Sequence, residues 1–465
     1  MANSMIKHTK KLLALEIFSI LTASCYIPKI NAQPFFDDAT LKGGIYYWQR
    51  DRSRKELTPG SDKYGQYTDN LKHSSLNIAL DFSSGYIQDF IGFDFAGYTA
   101  VELSNGGPAA PNEIGFSDAK NVWDEKGTGD RNGFTFTTAA TKLKLGPFWG
   151  KAGYIQPSGQ TLLATNWSFL PGTYRGAEVG AEFDTEDSGK FNISYMWTDQ
   201  YKAPWYREMY EFREADSTTT IDYLHSLGVK YDTKNKLVLE GAVGQAEGYM
   251  DQYLAKISYA FPLAGRDLRV SYQFYGAQDK DNSGGVNDVY DGLAWLQAFT
   301  LGYTYDALDF QVEGTMVHSP GQQGYFLQRM TSAYGTSNGR IDVWWDARSD
   351  FNSDNEKALF AGVTYDLSSW DLAGWKIGTS YVYAWDAKPS NNPIYDQSQR
   401  VRESAWNFDI LYTIQTGKAK DTTFKLHYTR FDNHSDIPSW GGGFNNIFQD
   451  EKDIKFIVTA PFTIF

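Results

Sequence analysis

The chain has 465 residues, with 43 basic against 56 acidic side chains, a net charge of −13, 16% aromatic residues and one cysteine. That balance argues against nucleic acid and other polyanions as partners and suits neutral or cationic solutes. No run of about 18 apolar residues occurs, which removes a membrane-spanning helix but not membrane strands, where only alternate residues meet lipid.

Residues 1–32 read as an export signal. Lys7, Lys10 and Lys11 form a basic start, residues 12–27 an apolar stretch, and Ile30-Asn31-Ala32 a cleavage site before Gln33. Thr22-Ala23-Ser24-Cys25 departs from a lipoprotein signal, because Thr22 stands where leucine is needed. Cleavage would remove Cys25, four lysines and Glu16, taking the net charge from −13 to −16. The mature chain would then have no cysteine for a disulfide, a thiolate nucleophile or a zinc ligand.

Residues 33–465 read as one domain, without a linker. From Leu41 onward about eighteen β-type runs follow one another, and their connections alternate between short and long. The tight ones are 83–85, 145–147, 185–188, 233–235, 262–266, 306–307, 368–374 and 416–420. The long polar ones are 51–70, 104–132, 157–174, 200–220, 278–293, 319–356, 387–401 and 432–452, and only 247–250 breaks the rhythm. A soluble sandwich has no reason to sort its loops this way. The fold class expected is all-β: a transmembrane, antiparallel, up-and-down barrel of about eighteen strands with long extracellular loops.

The strands alternate as that fold requires. Leu237, Leu239 and Val243 oppose Lys236, Glu240 and Gln245; Leu308, Phe310 and Val312 oppose Asp309, Gln311 and Glu313. Trp406, Phe408 and Ile410 oppose Asn407 and Asp409, and Phe424 and Leu426 oppose Lys425 and His427. Trp375 and Trp385 fall at strand ends, where aromatic girdles belong. Runs of about ten to thirteen residues match the ~9–11 that cross a bilayer at a tilt and exceed ordinary sandwich strands. The last strand ends on Phe465, a residue that resembles the signal read by the barrel-assembly machinery, although Phe456, Val458, Ala460, Phe462 and Ile464 make its more apolar face.

Several segments resemble the OprD-type substrate-specific porins, and within them the enterobacterial chitoporin branch. They are 43–50 (GGIYYWQR), 111–114 (PNEI), 153–157 (GYIQP), 169–176 (FLPGTYRG), 201–205 (YKAPW), 321–330 (GQQGYFLQRM), 432–441 (DNHSDIPSWG) and the tail 460–465. The resemblance implies a monomeric barrel in the bacterial outer membrane, among its lipid and lipopolysaccharide, that takes up chitin oligosaccharides, with no cofactor. In relatives of acidic substrates an arginine is expected just before Leu-x-Pro; here Ser168-Phe169 precedes Leu170, which fits a neutral sugar better.

Sugars are held by aromatic rings under their C–H faces and by polar groups at their hydroxyls, so a sugar pore should pair the two where it is narrowest. Residues 157–174 carry Trp167, Phe169 and Tyr174 beside Asn166, Gln160 and Ser168. With Leu162, Leu163 and Leu170 also present, this loop is too apolar to hang in water and is expected to fold into the lumen as a constriction. A lid on the outer rim is the other reading. The longest loop, 319–356, offers Tyr325, Trp344, Trp345, Asp346 and Arg348. Adjacent tryptophans point opposite ways, so at most one faces a ligand, and Arg340 and Arg348 are as suited to wall carboxylates as to substrate. Lys42, Arg50, Glu178, Glu182, Lys230, Asp309, Glu313, Asp409 and Lys425 face the lumen by parity, either orienting solutes or keeping the wall wet and paired. Trp205 and Trp440 suit outer capture or loop packing. Asp279-x-Asp281-x-Ser283-Gly284 starts like a calcium loop but has Tyr290 where the bidentate Glu belongs. The histidines have no metal-ligand spacing and no catalytic set stands out, so the expectation is neither a metal site nor an enzyme. The alternatives are a porin for other small solutes, a general diffusion porin, and a surface carbohydrate-binding β-protein.

Overall fold

The computed structural model describes residues 33–109, 115–124, 131–165, 170–343, 345–435 and 437–465. The export signal read over 1–32 lies outside the described residues, as do Asn166, Trp167, Phe169 and Trp344. The described chain opens with a short helix, α1 (Gln33–Asp37). The first strands are β1 (Thr40–Lys55), β2 (Tyr67–Ser83), β3 (Ile91–Gly106), β4 (Gly133–Leu145), β5 (Phe148–Ile155), β6 (Thr173–Thr185) and β7 (Gly189–Lys202). A two-residue pair, β8 (Phe212–Arg213) with β9 (Thr220–Ile221), sits in the next connection. Then come β10 (Leu224–Asp232), β11 (Leu237–Ala246), β12 (Met250–Leu263), β13 (Arg266–Asp279), β14 (Ala294–Tyr305) and β15 (Leu308–His318). The last five are β16 (Lys357–Asp366), β17 (Trp375–Ala387), β18 (Val401–Thr413), β19 (Thr423–Asn433) and β20 (Glu451–Thr463).

Eighteen of these strands form one antiparallel sheet, and β20 pairs with β1, so the sheet closes on itself. Closure satisfies the backbone groups that an open sheet would leave at its edges, the condition for crossing hydrocarbon. The short connections gather at one end and the long ones at the other, as the rhythm of the sequence predicts. Three details differ. β1, β2 and β3 run 16, 17 and 16 residues, so 51–55 and 67–70 belong to strands. Their charged outward residues still gain from the ladder above the apolar belt. The first tight turn spans 84–90, where Ile87 bridges Ile91. The pair β8–β9 has no counterpart in the sequence reading, because two residues carry no periodicity.

Register sorts the two faces. Gln252, Gln273, Glu313, Asn407 and His427 are buried on the inside, while Ile257, Phe299, Val312, Leu359, Tyr381 and Ile454 are exposed outside. Large apolar side chains on the exposed face invert the pattern of a soluble protein and match a lipid-facing belt. The interior is packed instead by wall and loop side chains, among them Leu162, Tyr174, Tyr201, Trp205, Phe326 and Trp345. β5 is short because the chain leaves the wall after Ile155 and turns into the lumen.

Phe299, at mid-strand on β14 and 47% exposed, tests the orientation of the faces. Phe299→Arg is expected to lower folding stability in lipid vesicles by about 2–4 kcal/mol, whereas the inward Thr300→Arg costs less and alters conductance. Urea titrations of folding into vesicles check this.

Candidate functional site

The candidate site is the waist of the lumen, built by two loops that fold inward. Residues 156–165 leave β5 and are caught at once by Glu178. Its buried carboxylate accepts the N–H groups of Ser158 (3.0 Å) and Gly159 (2.8 Å) and meets Lys151 Nζ at 3.1 Å. The loop then crosses β7 and β10, where Gln160 N–H donates to Ser194 Oγ and Leu162 N–H donates to Ser226 Oγ at 2.8 Å. It passes so close to β10 that a Cβ at Gly228 would fall 1.8 Å from Gln160 O. Glycine is therefore required there for approach. Beyond Thr165, the loop returns at Leu170, which is buried with Tyr98, Ala100 and Phe116 near β3.

The second loop, 319–356, meets the first in mid-lumen. Leu163 bridges Gly339, Arg340 N–H donates to Leu162 O at 2.6 Å, and Ala164 N–H donates to Asn338 O at 3.3 Å. Tyr174 locks this junction. It is 0% exposed, its hydroxyl lies 2.7 Å from Asn338 O and 3.1 Å from Ala164 O, and it accepts the Asn338 N–H at 2.9 Å. Tyr174 is thus a strut and not a surface open to a sugar. The next connection braces the junction from the long-loop end: Trp205 stacks on Tyr334 at 5.4 Å, and Tyr210 O–H donates to Gly335 O.

From Arg340 to Arg348 the second loop advances along the wall, handed from strand to strand by its side chains. Arg340 meets Glu240 on β11 at 2.6 Å, and Asp342 meets Lys256 on β12 at 2.7 Å. Trp345 donates to Glu313 on β15 and stacks on Phe360 of β16 at 5.3 Å. Asp346 meets Lys425 on β19 at 3.4 Å and Lys455 on β20 at 2.6 Å. Arg348 pairs with Glu451 on β20 and lies 4.1 Å over the Phe448 ring. Although burial opposes ionisation, the charges of Lys455, His427 and Lys425 hold the Asp346 carboxyl well below the usual range. Asp342 is held down to about 2, against burial, by Arg340 and Lys256. Both carboxylates stay charged at any pH the cell meets. At the loop's end, burial pushes the Glu356 carboxyl above the usual carboxylate range.

The sequence-derived candidates therefore divide. Trp345, only 6% exposed, is an anchor and does not offer its ring to a solute. Glu178 is a loop clasp. Arg50 is buried against Asp453, its Nε 2.9 Å from Oδ2, at the β1–β20 seam. Arg340 and Arg348 take the wall carboxylates, as one reading of them expected. Tyr325 is half-buried and bridges Ser353. Gln160 is half-buried, with its backbone committed to Ser194. Lys425 and Asp409 line the waist 3.3 Å apart, with His427 Nδ1 2.9 Å from Asp409. Toward the short-turn end, Asp309 meets Arg269 at 3.1 Å and Glu182 meets Lys190 at 2.7 Å, while Lys42 is exposed at the mouth. There a cavity of about 500 Å³ opens between β11 and β15, with Lys256, Arg269, Asp309 and Glu313 on its wall. Lys256, Asp342, Asp453, Glu451 and Lys455 were not singled out from sequence. Strand parity could have supplied all but Asp342.

Gly228→Val is expected to force residues 158–162 off the wall. Single-channel recordings should then show larger conductance and more current noise than the parent. Unchanged conductance would mean that this loop does not set the waist.

Comparison with known proteins places this geometry. A family model described as outer membrane porin, OprD family, matches residues 33–463. A chitoporin of Escherichia coli (strain K12) is 58% identical over 462 residues, covering 97% of this chain and 98% of the relative. Porin D of Pseudomonas aeruginosa is 23% identical, covering 93% of each chain. Among solved structures, Pseudomonas aeruginosa OccK9 (OpdG) superposes with a TM-score of 0.73 at 15% identity, covering 93% of this chain and all of that one.

Proposed function

The chain belongs to the OprD family of outer-membrane porins, and on that premise we propose that it carries chitin-derived oligosaccharides across the outer membrane by facilitated diffusion. The observation that carries this reading is the full-length likeness to a chitoporin. The electrostatics of the waist support it. Lys256, Arg340, Lys425 and Lys455 each lie within 3.4 Å of a carboxylate, so cations and anions alternate along the path. Such a wall offers hydrogen bonds to hydroxyl and N-acetyl groups without a large net field to hold an ion back.

In this reading Trp167 and Phe169, between the anchored Thr165 and Leu170, supply stacking steps for the pyranose rings, with Asn166 beside them. Trp344 is the corresponding candidate on the second loop. Asp409 and Lys425 exchange hydrogen bonds with the sugar as it leaves the waist. The protein works as a monomer, residues 1–32 direct export, and Phe465 presents the terminal signal to the barrel-assembly machinery. Passage needs sites that hold the sugar long enough to admit it and briefly enough to release it.

Swelling of proteoliposomes with chitin, maltose-type and cellulose-type oligosaccharides of equal length tests the reading, with analysis of the sugars afterwards. Chitin oligosaccharides are expected to enter fastest and to emerge intact. Equal rates for all three would indicate a general diffusion pore, and shortened products a hydrolase. In ion-current recordings, Trp167→Ala is expected to shorten the residence of a chitin hexamer by a loss of about 1–3 kcal/mol, taking base–aromatic stacking as the upper guide.

A further inference from the structure

We propose that the outward face of β18, β19 and β20, at the extracellular rim, binds a phosphate of the outer-leaflet glycolipid. Arg430 on β19 stands directly opposite Lys452 on β20. Both point outward, because Thr429, Phe431, Glu451 and Asp453 beside them are buried on the lumen side. Two cations directly opposed across strands destabilise a sheet. Here they are opposed on an exposed rim, with Arg430 54% accessible.

The local carboxylates do not resolve the clash. Arg430 shares Asp432, Nε to Oδ2 at 3.0 Å, and Lys55 has Asp450 at 3.2 Å. Among the described residues Lys452 has the face of Tyr67, 4.4 Å from the ring centroid, and no ion pair. Arg402, exposed on β18 just above Ser404, also has none among the described residues. Two outward cations in other sectors are matched: Arg175 by Asp199 at 2.6 Å and Lys357 by Asp386 at 2.7 Å. Among the described residues this face of β18, β19, β20, β1 and β2 carries Arg402, Arg430, Lys452, Lys55 and Lys72 against Asp432, Asp450, Asp51 and Asp69, a local excess of positive charge in a chain whose overall charge is −13.

What lies beneath identifies the ligand. One step along the same strands toward the periplasm, the outward residues are Phe408, Tyr428 and Ile454, with Trp406 beside Arg430. Trp406 and Ile454 are 44% and 45% exposed, as lipid-facing side chains are. A row of cations seated on an apolar belt complements a phosphorylated, acylated saccharide. Its phosphate would sit between Arg430 and Lys452, beside the Asp432 carboxylate, in charge-assisted hydrogen bonds, and its acyl chains would run down Trp406, Tyr428 and Ile454. A free phosphate would use the first half of that surface and leave the second unexplained.

The test uses the full barrel in detergent and native mass spectrometry. The probes are a diphosphorylated, acylated glycolipid of the lipid A type, the same lipid without phosphates, and inorganic phosphate. The phosphorylated lipid is expected to bind at least tenfold more tightly than either of the others. The double variant R430Q/K452Q should lose about tenfold of that affinity, while Arg175→Gln in the matched sector should not. Heat-modifiable gel migration checks that the variants are folded, and the parent's lipid series stands whether or not they are. Equal binding of the phosphate-free lipid would overturn the proposal, as would inorganic phosphate binding as tightly, or a folded double variant that binds like the parent. None of these results depends on which sugar the channel passes.

Discussion

A loop as long as 319–356 can lie inside a membrane barrel only if its charged and backbone groups find partners there, and this requirement organises the rest of the molecule. Burying unpaired charge costs several kcal/mol per group. The wall meets the requirement with residues spaced around half its circumference: Glu240 and Lys256, then Glu313, then Lys425, Lys455 and Glu451. Each is answered by the loop residue that passes it. The same pairing that allows the loop to be buried leaves the waist with charges of both signs and little net field. Loop burial and tolerance of neutral solutes are therefore one property of this interior.

The first inward loop depends on the second. Residues 158–162 are held by Glu178, Ser194 and Ser226, but the stretch toward Thr165 gains its backbone partners from Asn338 and Arg340. Tyr174 closes the arrangement from the wall side, and a fully buried hydroxyl with several partners is costly to disturb. The two loops behave as one inserted body.

Much of the architecture was legible in the residues. Period-two alternation needs no knowledge of neighbours, so Leu239 against Glu240, or Phe310 against Asp309, already told lipid from lumen. The inward course of 157–165 and the burial of Leu170 followed from the apolar content of that loop. What escaped was pairing across the lumen. Glu178 and Lys425 share the same parity signature, yet one clasps loop backbone and the other lines the waist. Trp345 carries the same chemistry as any sugar platform, and only its stacking on Phe360 and its bond to Glu313 reveal an anchor. These contacts join residues tens to hundreds of positions apart, and no local pattern records them. The Arg430–Lys452 opposition was hidden for the same reason, since register between β19 and β20 decides it.

The central claim is that paired charge at the waist selects for neutral solutes, and the most direct measurement is the zero-current reversal potential of the parent and of Asp346→Asn in a salt gradient. Asp346 answers Lys425, His427 and Lys455 together. The account predicts weak ion selectivity in the parent and a clear shift toward anions in the variant, accompanied by faster entry of carboxylated oligosaccharides. A parent that is already strongly anion-selective, or a variant whose reversal potential does not move, would contradict it.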